Sequence, residues 1–369
     1  MKPVKFYNVD RFYQLNKDKI IELANEVFST GQVLEGIYVT KTEKKLAQLT
    51  NRKYAVTVNS CTDALFFSLI ASGIKYGDEV LVPAFSFIAS ASAIIRTGAT
   101  PVFVDVNDDG LINFEKAAKK ITQRTKAIVA VHLFGKMANP ETLNSFSKQF
   151  NLTIIEDAAQ ALGSRHTEIP AGNTGLASCF SFDPSKIVNA FGTGGVIVTD
   201  NEEIAGKAKS MRVHGKSANV NNFEILGCNS RIPSLQAAIL HFQLLQIKDI
   251  TSKRNNVANY YYSKLSNIHN LRFLIPSQDE LWNYHKFPIF TSFRDKLKDY
   301  LSKNNIETGI HYSKTLPEYS VFGKSEISYP VAEMLSKTEL SLPIYPELNE
   351  EELSWICDCI NKFYITQHT

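Results

Sequence analysis

The sequence predicts an α/β fold organised around a mostly parallel β-sheet. From about residue 53 onward, short runs rich in Val, Ile and Leu alternate with helical stretches, and these runs are continuously apolar. Strands with this composition are buried on both faces, as in a parallel sheet that helices cover on each side. The predicted strands are 54–58, 79–82, 101–106, 127–131, 152–156, 178–182 and 195–199. Ligands of such sheets bind beyond the carboxyl ends of the strands, so the residues directly after each run are candidates for a functional site.

Helices are predicted around these strands, and a second domain is predicted after them. The helical segments are 1–30, 61–73, a stretch of small residues ending near Ile95, 201–212, 233–248 and 293–304. A chain of 369 residues is too long for one small core, and its composition turns to Asn, Lys and Tyr after about residue 250. We therefore expect a large domain over 1–248 and a smaller α+β domain over 249–369, with the N-terminal helix able to pack against either.

Composition and charge exclude several classes of protein. The 40 basic and 37 acidic residues give a net charge of +3 and form no block, whereas a nucleic-acid-binding protein would cluster its basic residues. No apolar run predicts a membrane span, and the N-terminus lacks the apolar segment of a signal peptide. Five scattered cysteines are typical of a reducing compartment, so we expect a cytoplasmic protein. The histidines show no metal-ligand spacing, and Cys357 and Cys359 lack a second cysteine pair, so no metal site is expected.

Two charged residues follow predicted strands and are candidates for catalysis. Asp157 ends the apolar run 152–157, where a buried carboxylate needs a cationic partner. A protonated pyridine nitrogen would be such a partner, although a helix N-cap or a structural ion pair would explain Asp157 equally well. Lys186 lies between two predicted strands, and a partly desolvated lysine there would have a lowered pKa and could form an imine with an aldehyde. A solvated loop lysine is the commoner alternative.

Small polar residues near these positions indicate an anion site. Residues 59–65 form a strand-to-helix turn, where free backbone N–H groups and the Ser60 and Thr62 hydroxyls could bind a phosphate. A simple N-cap would explain Ser60 alone. Ser181 ends a strand and could donate to the same phosphate, and the glycines in 192–195 permit a close backbone approach. These glycines precede a strand and lack the G-x-G-x-x-G spacing, so they do not form a dinucleotide-binding motif.

The order and spacing of nine short segments resemble the DegT/DnrJ/EryC1/StrS family of sugar aminotransferases. The segments are NSCTDAL (59–65), PAFSF (83–87), FVDV (103–106), EDAAQ (156–160), SFDPSK (181–186), GTGG (192–195), GCNSR (227–231), HY (311–312) and SLP (341–343). Each segment is weak evidence by itself, but together they cover nearly the whole chain. The resemblance implies a fold-type-I enzyme that uses pyridoxal 5′-phosphate (PLP), with a seven-stranded, mostly parallel sheet in its large domain.

The resemblance also implies roles for residues around the cofactor. Lys186 would form the Schiff base with PLP, Asp157 would pair with the ring nitrogen, and Gln160 would contact the ring hydroxyl side. Phe87 would stack on the ring, with a core aromatic as the alternative. The phosphate would be held by the Thr62 and Ser181 side chains and the backbone N–H of Cys61. Cys61 departs from the glycine that the family often has in this turn.

Other implied residues lie farther along the chain. Asn229, in a long polar loop over 213–232, would reach the phosphate of the neighbouring subunit's cofactor, and Arg231 would line the same shared site. A homodimer with two composite sites is therefore expected. His214, His311 and Tyr312 match family positions near the sugar nucleotide, although a lone histidine is more often structural.

The expected activity is PLP-dependent transfer of an amino group. Glutamate would be the donor, and the acceptor would be a 3- or 4-keto deoxysugar linked to dTDP or UDP, for the biosynthesis of a cell-surface polysaccharide such as O-antigen. One alternative is a sugar dehydratase on the same fold, but those relatives have a histidine in place of the lysine, and Lys186 argues against this. A second alternative is a non-enzymatic regulatory homologue, which we would expect to lack Lys186 or Asp157, or to carry a DNA-binding segment.

Overall fold

The computed structural model describes residues 3–217, 222–323 and 327–367. Its helices are α1 (Val9–Thr30), α2 (Ile37–Leu49), α3 (Cys61–Ala71), α4 (Ile88–Arg96), α5 (Phe114–Ala118), α6 (Pro140–Phe150), α7 (Glu202–Met211), α8 (Ser234–Leu244), α9 (Ile247–Leu265), α10 (Arg294–Lys303), α11 (Pro330–Thr338) and α12 (Glu350–Gln367). Its strands are β1 (Tyr54–Val58), β2 (Glu79–Pro83), β3 (Thr100–Val104), β4 (Thr125–Val131), β5 (Thr153–Asp157), β6 (Arg165–His166), β7 (Ile169–Pro170), β8 (Ala177–Ser181), β9 (Gly195–Thr199), β10 (Arg272–Phe273), β11 (Glu280–Leu281), β12 (Phe287–Phe290) and β13 (Glu339–Leu342).

The predicted seven-stranded, mostly parallel sheet is confirmed. Its strand order is β1-β9-β8-β5-β4-β2-β3, and only β9 runs antiparallel to its neighbours. Each strand of this sheet coincides with one of the predicted apolar runs. The inner strands, such as β2 and β9, are buried along their length, as expected for strands with helices on both faces, whereas the edge strand β3 is partly exposed. β3 stops at Val104, short of the predicted end, because Val106 instead forms an isolated bridge with Ile112.

The strand directions bring the chemically interesting residues to one edge of the sheet. Because β9 is antiparallel to both β1 and β8, strands β1, β2, β5 and β8 all point the same way. Their carboxyl ends therefore lie at the same edge, where ligands of open α/β sheets bind. Helix α3 begins there directly after β1, and Ser60 caps it by accepting a 3.1 Å hydrogen bond from the Asp63 N–H.

The part of the chain after α8 forms a second, smaller sheet with its own helices. This sheet has the order β10-β12-β13, and α9 packs against α12, which in turn contacts α10. The predicted helix 233–248 is two helices, α8 and α9, that break at Leu245 and Gln246, although the apolar spacing continues up to the break. The predicted domain boundary near residue 248 falls at the start of α9 and stays a prediction.

A third small sheet joins the two halves of the chain. β6 pairs with β7 and also with β11, so the segment that follows β5 contacts the segment that leads into β12. Across the described ranges, no helix combines the length and apolarity that crossing a membrane requires.

Candidate active site

A cavity of about 290 Å³ opens at the carboxyl edge of the large sheet. Most of the residues singled out in the sequence line it: Cys61, Thr62, Phe87, Asp157, Gln160, Ser181, Lys186, His311 and Tyr312. The first seven lie at or just after the carboxyl ends of strands in the large sheet, whereas His311 and Tyr312 come from the C-terminal part of the chain. The strand arrangement therefore brings the predicted cofactor residues, except Asn229, together with two of the predicted substrate residues.

Asp157 lies at the end of β5 and is only 5% exposed. Its Oδ2 accepts a 2.6 Å hydrogen bond from the Ser90 hydroxyl, and its Oδ1 accepts a 3.3 Å bond from the Ala159 N–H. Burial raises the pKa of Asp157, although the hydrogen bonds and the charge of Lys186 counteract this effect. A cation next to this carboxylate would add to the effects that lower the pKa of Asp157, and would stabilise its charged form.

Lys186 is half-buried in the loop between β8 and β9. An Asx turn precedes it, in which Asp183 Oδ1 accepts hydrogen bonds from the Ser185 N–H (2.9 Å) and hydroxyl (2.6 Å). The Lys186 N–H donates to the Asp183 carbonyl at 2.8 Å, and the Asn189 side chain donates to the Lys186 carbonyl at 3.1 Å. These bonds fix the backbone from which the side chain enters the cavity. Burial lowers the pKa of Lys186, as a nucleophilic lysine requires.

The N-terminus of α3 offers backbone donors to the cavity. Asp63 and Ala64 donate to Ser60, whereas the Cys61 and Thr62 N–H groups form no hydrogen bond with the part of the chain that the structure describes. Gly195 allows this helix end to approach the sheet, because a Cβ at that position would lie 2.5 Å from the Cys61 nitrogen. Free N–H groups at a helix start attract an anion such as a phosphate.

Aromatic and amide side chains also line the cavity. Phe87 precedes α4 and is 54% exposed, so it is not a core aromatic, and its ring centroid lies 5.9 Å from that of Tyr312. Gln160 accepts a 2.8 Å hydrogen bond from the Phe134 N–H and donates to the Tyr312 hydroxyl at 3.1 Å. His311 Nδ1 lies 3.0 Å from the Ser341 hydroxyl. Burial, with the charges of two cavity lysines, places the His311 pKa well below its usual range, so this ring is neutral at pH 7.

Three predicted residues lie outside the cavity. His214 and Asn229 are exposed, and Arg231 donates a 3.2 Å hydrogen bond to Asn229 Oδ1. The loop that carries them contains two isolated antiparallel β-bridges, Val213 with Asn229 and Lys216 with Phe223. Residues 218–221 lie outside the described ranges. Within one chain these three side chains do not reach Lys186, and their roles stay predictions.

Several residues in or next to the cavity were missed from the sequence. Ser90 lies in α4, where a segment of small residues gives no sign that one hydroxyl binds Asp157. Tyr7, His285 and Lys286 also line the cavity, but they are far from every motif in the sequence. No local pattern could have identified them, because tertiary contacts alone bring them to this edge.

The donor set fits PLP. The buried Asp157 carboxylate suits a protonated ring nitrogen, Lys186 suits the aldehyde carbon, and the α3 N-terminus with the Thr62 and Ser181 hydroxyls suits the phosphate. Within the described residues, no group of three or more His, Cys, Asp or Glu side chains is arranged to hold a metal ion.

Comparison with known proteins gives the family. Residues 14–361 match the DegT/DnrJ/EryC1/StrS aminotransferase family. A dTDP-3-amino-3,6-dideoxy-alpha-D-galactopyranose transaminase of Aneurinibacillus thermoaerophilus is 35% identical over 90% of this chain and 92% of its own length. The crystal structure of Streptomyces venezuelae DesV superposes with a TM-score of 0.95 at 32% identity, covering 99% of both chains. That of Bacillus subtilis NtdA with bound cofactor PMP has a TM-score of 0.92 at 29% identity, covering 99% of this chain and 86% of NtdA.

The match over nearly the whole chain agrees with the cavity, in which a buried carboxylate and a lysine lie near a helix end with free N–H groups. The chain therefore belongs to the DegT/DnrJ/EryC1/StrS aminotransferase family.

Proposed function

We propose that this protein is a PLP-dependent aminotransferase that transfers the amino group of glutamate to a 3- or 4-keto deoxysugar linked to dTDP or UDP. The observation that carries the proposal is the meeting of Asp157 and Lys186 in one cavity, next to the free N–H groups of α3. The relatives described above support a sugar nucleotide as the acceptor, because one is named as a dTDP-sugar transaminase. The aminated sugar would enter a cell-surface polysaccharide such as O-antigen.

Each residue has a defined task in this reaction. Bound PLP supplies the electron sink that stabilises negative charge on the carbon being aminated. Asp157 holds the ring nitrogen in its charged form, and Ser90 holds Asp157. Lys186 would move the proton between the cofactor and the carbon atom that gains or loses the amino group. Burial lowers the pKa of Lys186, which makes the free amine that accepts this proton more available. The aromatic wall of Phe87 and Tyr312 orients the ring and limits the access of water.

We propose that the active protein is a homodimer with shared sites. Asn229 and Arg231 do not line the cavity of their own subunit, which supports a role in the cavity of a partner subunit. Residues on both sides of position 248 line the cavity, which supports an active site between a large domain (1–248) and a small one (249–369).

The test is to incubate the purified protein with PLP, glutamate and a panel of dTDP- and UDP-linked 3- and 4-keto sugars. We expect one class of keto sugar to gain an amino group, detected by mass spectrometry, with release of an equal amount of 2-oxoglutarate. Lys186→Arg keeps a positive charge but cannot take over the lysine chemistry, so it should give no product. Amination by that variant, or failure of wild-type protein with every member of the panel, would contradict the proposal.

A further inference from the structure

Lys286 places a second lysine amino group in the active-site cavity. Its side chain is only 5% exposed and lines the same cavity as Lys186. Within the described part of the chain, Lys286 Nζ forms no hydrogen bond or ion pair, and it lies 4.8 Å from the ring centroid of Phe6 and 4.6 Å from that of Tyr7. Cation–π contacts of this length stabilise an ammonium only partly, so the group retains the capacity to bind an anion.

The backbone that carries Lys286 is held rigidly. The buried guanidinium of Arg254 donates hydrogen bonds of 2.6 to 3.1 Å to the carbonyl oxygens of Asn283, Tyr284 and His285. Tyr284 has a φ of 47°, a left-handed conformation that non-glycine residues seldom adopt unless surrounding contacts enforce it. A binding group mounted on such a fixed segment is pre-organised, which favours a specific role over incidental burial.

The charges around Lys286 favour an incoming anion. Burial, together with the neighbouring basic groups of Lys186 and Arg254, places the pKa of Lys286 well below its usual range. The carboxylates of Glu339 and Asp183 act in the opposite direction, but neither forms an ion pair with it among the described residues. An isolated buried charge is unfavourable, so an anionic ligand that enters the cavity would be bound and would stabilise the protonated lysine.

We propose that Lys286 binds a carboxylate group of the substrate. The inference rests on the proposed aminotransferase function, in which one cavity receives an amino acid and a sugar in turn. The carboxylate could belong to the dicarboxylic amino donor or to an acidic keto sugar, and both present the same charged oxygens to Lys286. A lysine binds such a group as a compact point charge.

The first arm of the test measures binding without turnover. Isothermal calorimetry of the PLP-loaded protein with glutarate, a dicarboxylate that lacks the amino group, gives a dissociation constant. Lys286→Met keeps the length of the side chain and removes the charge, and we expect this constant to rise about 10- to 100-fold, as for the loss of a charge-assisted hydrogen bond. Lys286→Arg should recover part of the affinity. The absorbance of bound cofactor must match wild type in each variant, which separates a local effect from misfolding.

A matched control is available outside the cavity. Lys120 Nζ lies 4.8 Å from the ring centroid of Tyr329, in a contact like that of Lys286. Lys120→Met should therefore leave glutarate binding unchanged. A similar loss of binding in this variant would mean that charge in general, and not Lys286, attracts the dicarboxylate, and the inference would be wrong.

The second arm distinguishes the two sources of carboxylate. The KM values for a nucleotide-linked keto uronate and for its neutral keto-hexose counterpart are compared in wild type and Lys286→Met. If glutarate binding is unchanged but the preference for the uronate is lost, the sugar supplies the carboxylate. If both arms are unchanged, the inference is overturned even when keto sugars are aminated. If no keto sugar reacts but glutarate binding still requires Lys286, the proposed acceptor is wrong and the carboxylate site stands.

Discussion

The Ser90 hydroxyl donates a 2.6 Å hydrogen bond to Oδ2 of Asp157, and both side chains are buried. Ser86 lies just before α4, with its Oγ 2.9 Å from Ser90 Oγ, so a second hydroxyl lies behind the one that donates to the carboxylate. A hydrogen bond to the charged form of a carboxyl group lowers its pKa, whereas burial raises it. Ser90 thus fixes the orientation of Asp157 and favours its ionised form.

Replacing Ser90 should weaken the enzyme most at low pH. In Ser90→Ala the lowering effect on the Asp157 pKa is lost, so this pKa rises and a larger fraction of Asp157 is protonated at any pH near it. We expect the low-pH limb of the kcat profile to move to higher pH, and kcat at its maximum to fall about 10-fold, as for the loss of a hydrogen bond to a charged group.

Ser92 provides the control for this measurement. It lies in the same helix, but its hydroxyl donates to the Ala89 carbonyl at 3.4 Å and makes no contact with Asp157. Ser92→Ala should reproduce the wild-type pH profile. If Ser90→Ala also reproduces it, Ser90 is not the residue that sets the state of Asp157.

Labelling should show which of the two lysines in the cavity binds the cofactor. The purified protein should be yellow, and borohydride reduction should abolish the absorbance and leave the cofactor attached to Lys186. The reason is that Lys186 follows β8, the strand next to the one that ends at Asp157, and both side chains line the cavity. Peptide mass spectrometry locates the modified residue. Lys286→Met should still be labelled at Lys186. A label on Lys286 in the wild-type protein would mean that Lys286, and not Lys186, binds the cofactor.

The sequence predicts the large sheet well because each of its strands is a continuous apolar run. The same property explains why the sequence could place Asp157 and Lys186 in one site, since Asp157 ends one apolar run and Lys186 follows another, and the carboxyl ends of both runs lie at the same sheet edge. Lys286 could not be found in this way. It enters the cavity because Arg254 and Asn283 fix the segment before β12, and such contacts between distant residues leave no pattern in the sequence.

The break between α8 and α9 shows a second limit of the sequence. Apolar spacing predicted one helix over 233–248, yet the chain leaves the helix at Leu245 and Gln246 and resumes at Ile247. Neither residue is a Gly or Pro, so local preference gives no reason to stop. The first turns of α9 pack against a distant part of the chain, since Ile247 and Thr251 lie against Gly163, where a Cβ would be only 3.2 to 3.3 Å from them, and such contacts leave no pattern in the local sequence.

Glu339 should make the stability of the protein depend on pH. Burial raises the pKa of Glu339 to about 8, and the His311 N–H and the Ser341 hydroxyl donate hydrogen bonds to its two oxygens. From its unfolded value of 4.5 up to about 8, the folded state therefore binds more protons than the unfolded state. The free energy of unfolding must fall as the pH rises through this window, by at most roughly 1.4 kcal/mol per pH unit for one proton.

This dependence can be measured by urea unfolding at about pH 5.5 and about pH 7.5. In Glu339→Gln the titrating group is gone, so we expect the difference in unfolding free energy between the two pH values to shrink relative to wild type. Glu203→Gln removes an exposed carboxylate paired with Lys207 and should leave that difference close to the wild-type value. An undiminished difference in Glu339→Gln would show that the group does not titrate in this window.

The dimer prediction rests on the position of Asn229. Its exposed side chain lies outside its own cavity and contacts Arg231, so a role at the cofactor requires a second copy of the chain. In that arrangement, Asn229→Ala damages the contribution that a subunit makes to its partner's site, and Lys186→Ala damages the site of its own subunit. Each variant alone should be clearly impaired, because every site in either homodimer lacks one residue.

Mixing the two variants should restore activity if the sites are shared. Two-fold symmetry means that a heterodimer has one site with both residues intact and one site with both residues lost. Random exchange makes half of the dimers mixed, so activity should approach about a quarter of wild type, the fraction of intact sites. Subunit exchange is confirmed separately by native mass spectrometry of the mixture, with one variant carrying an affinity tag. If heterodimers form and activity stays at the level of the parents, Asn229 does not complete the partner's site, and each subunit holds its cofactor with its own residues.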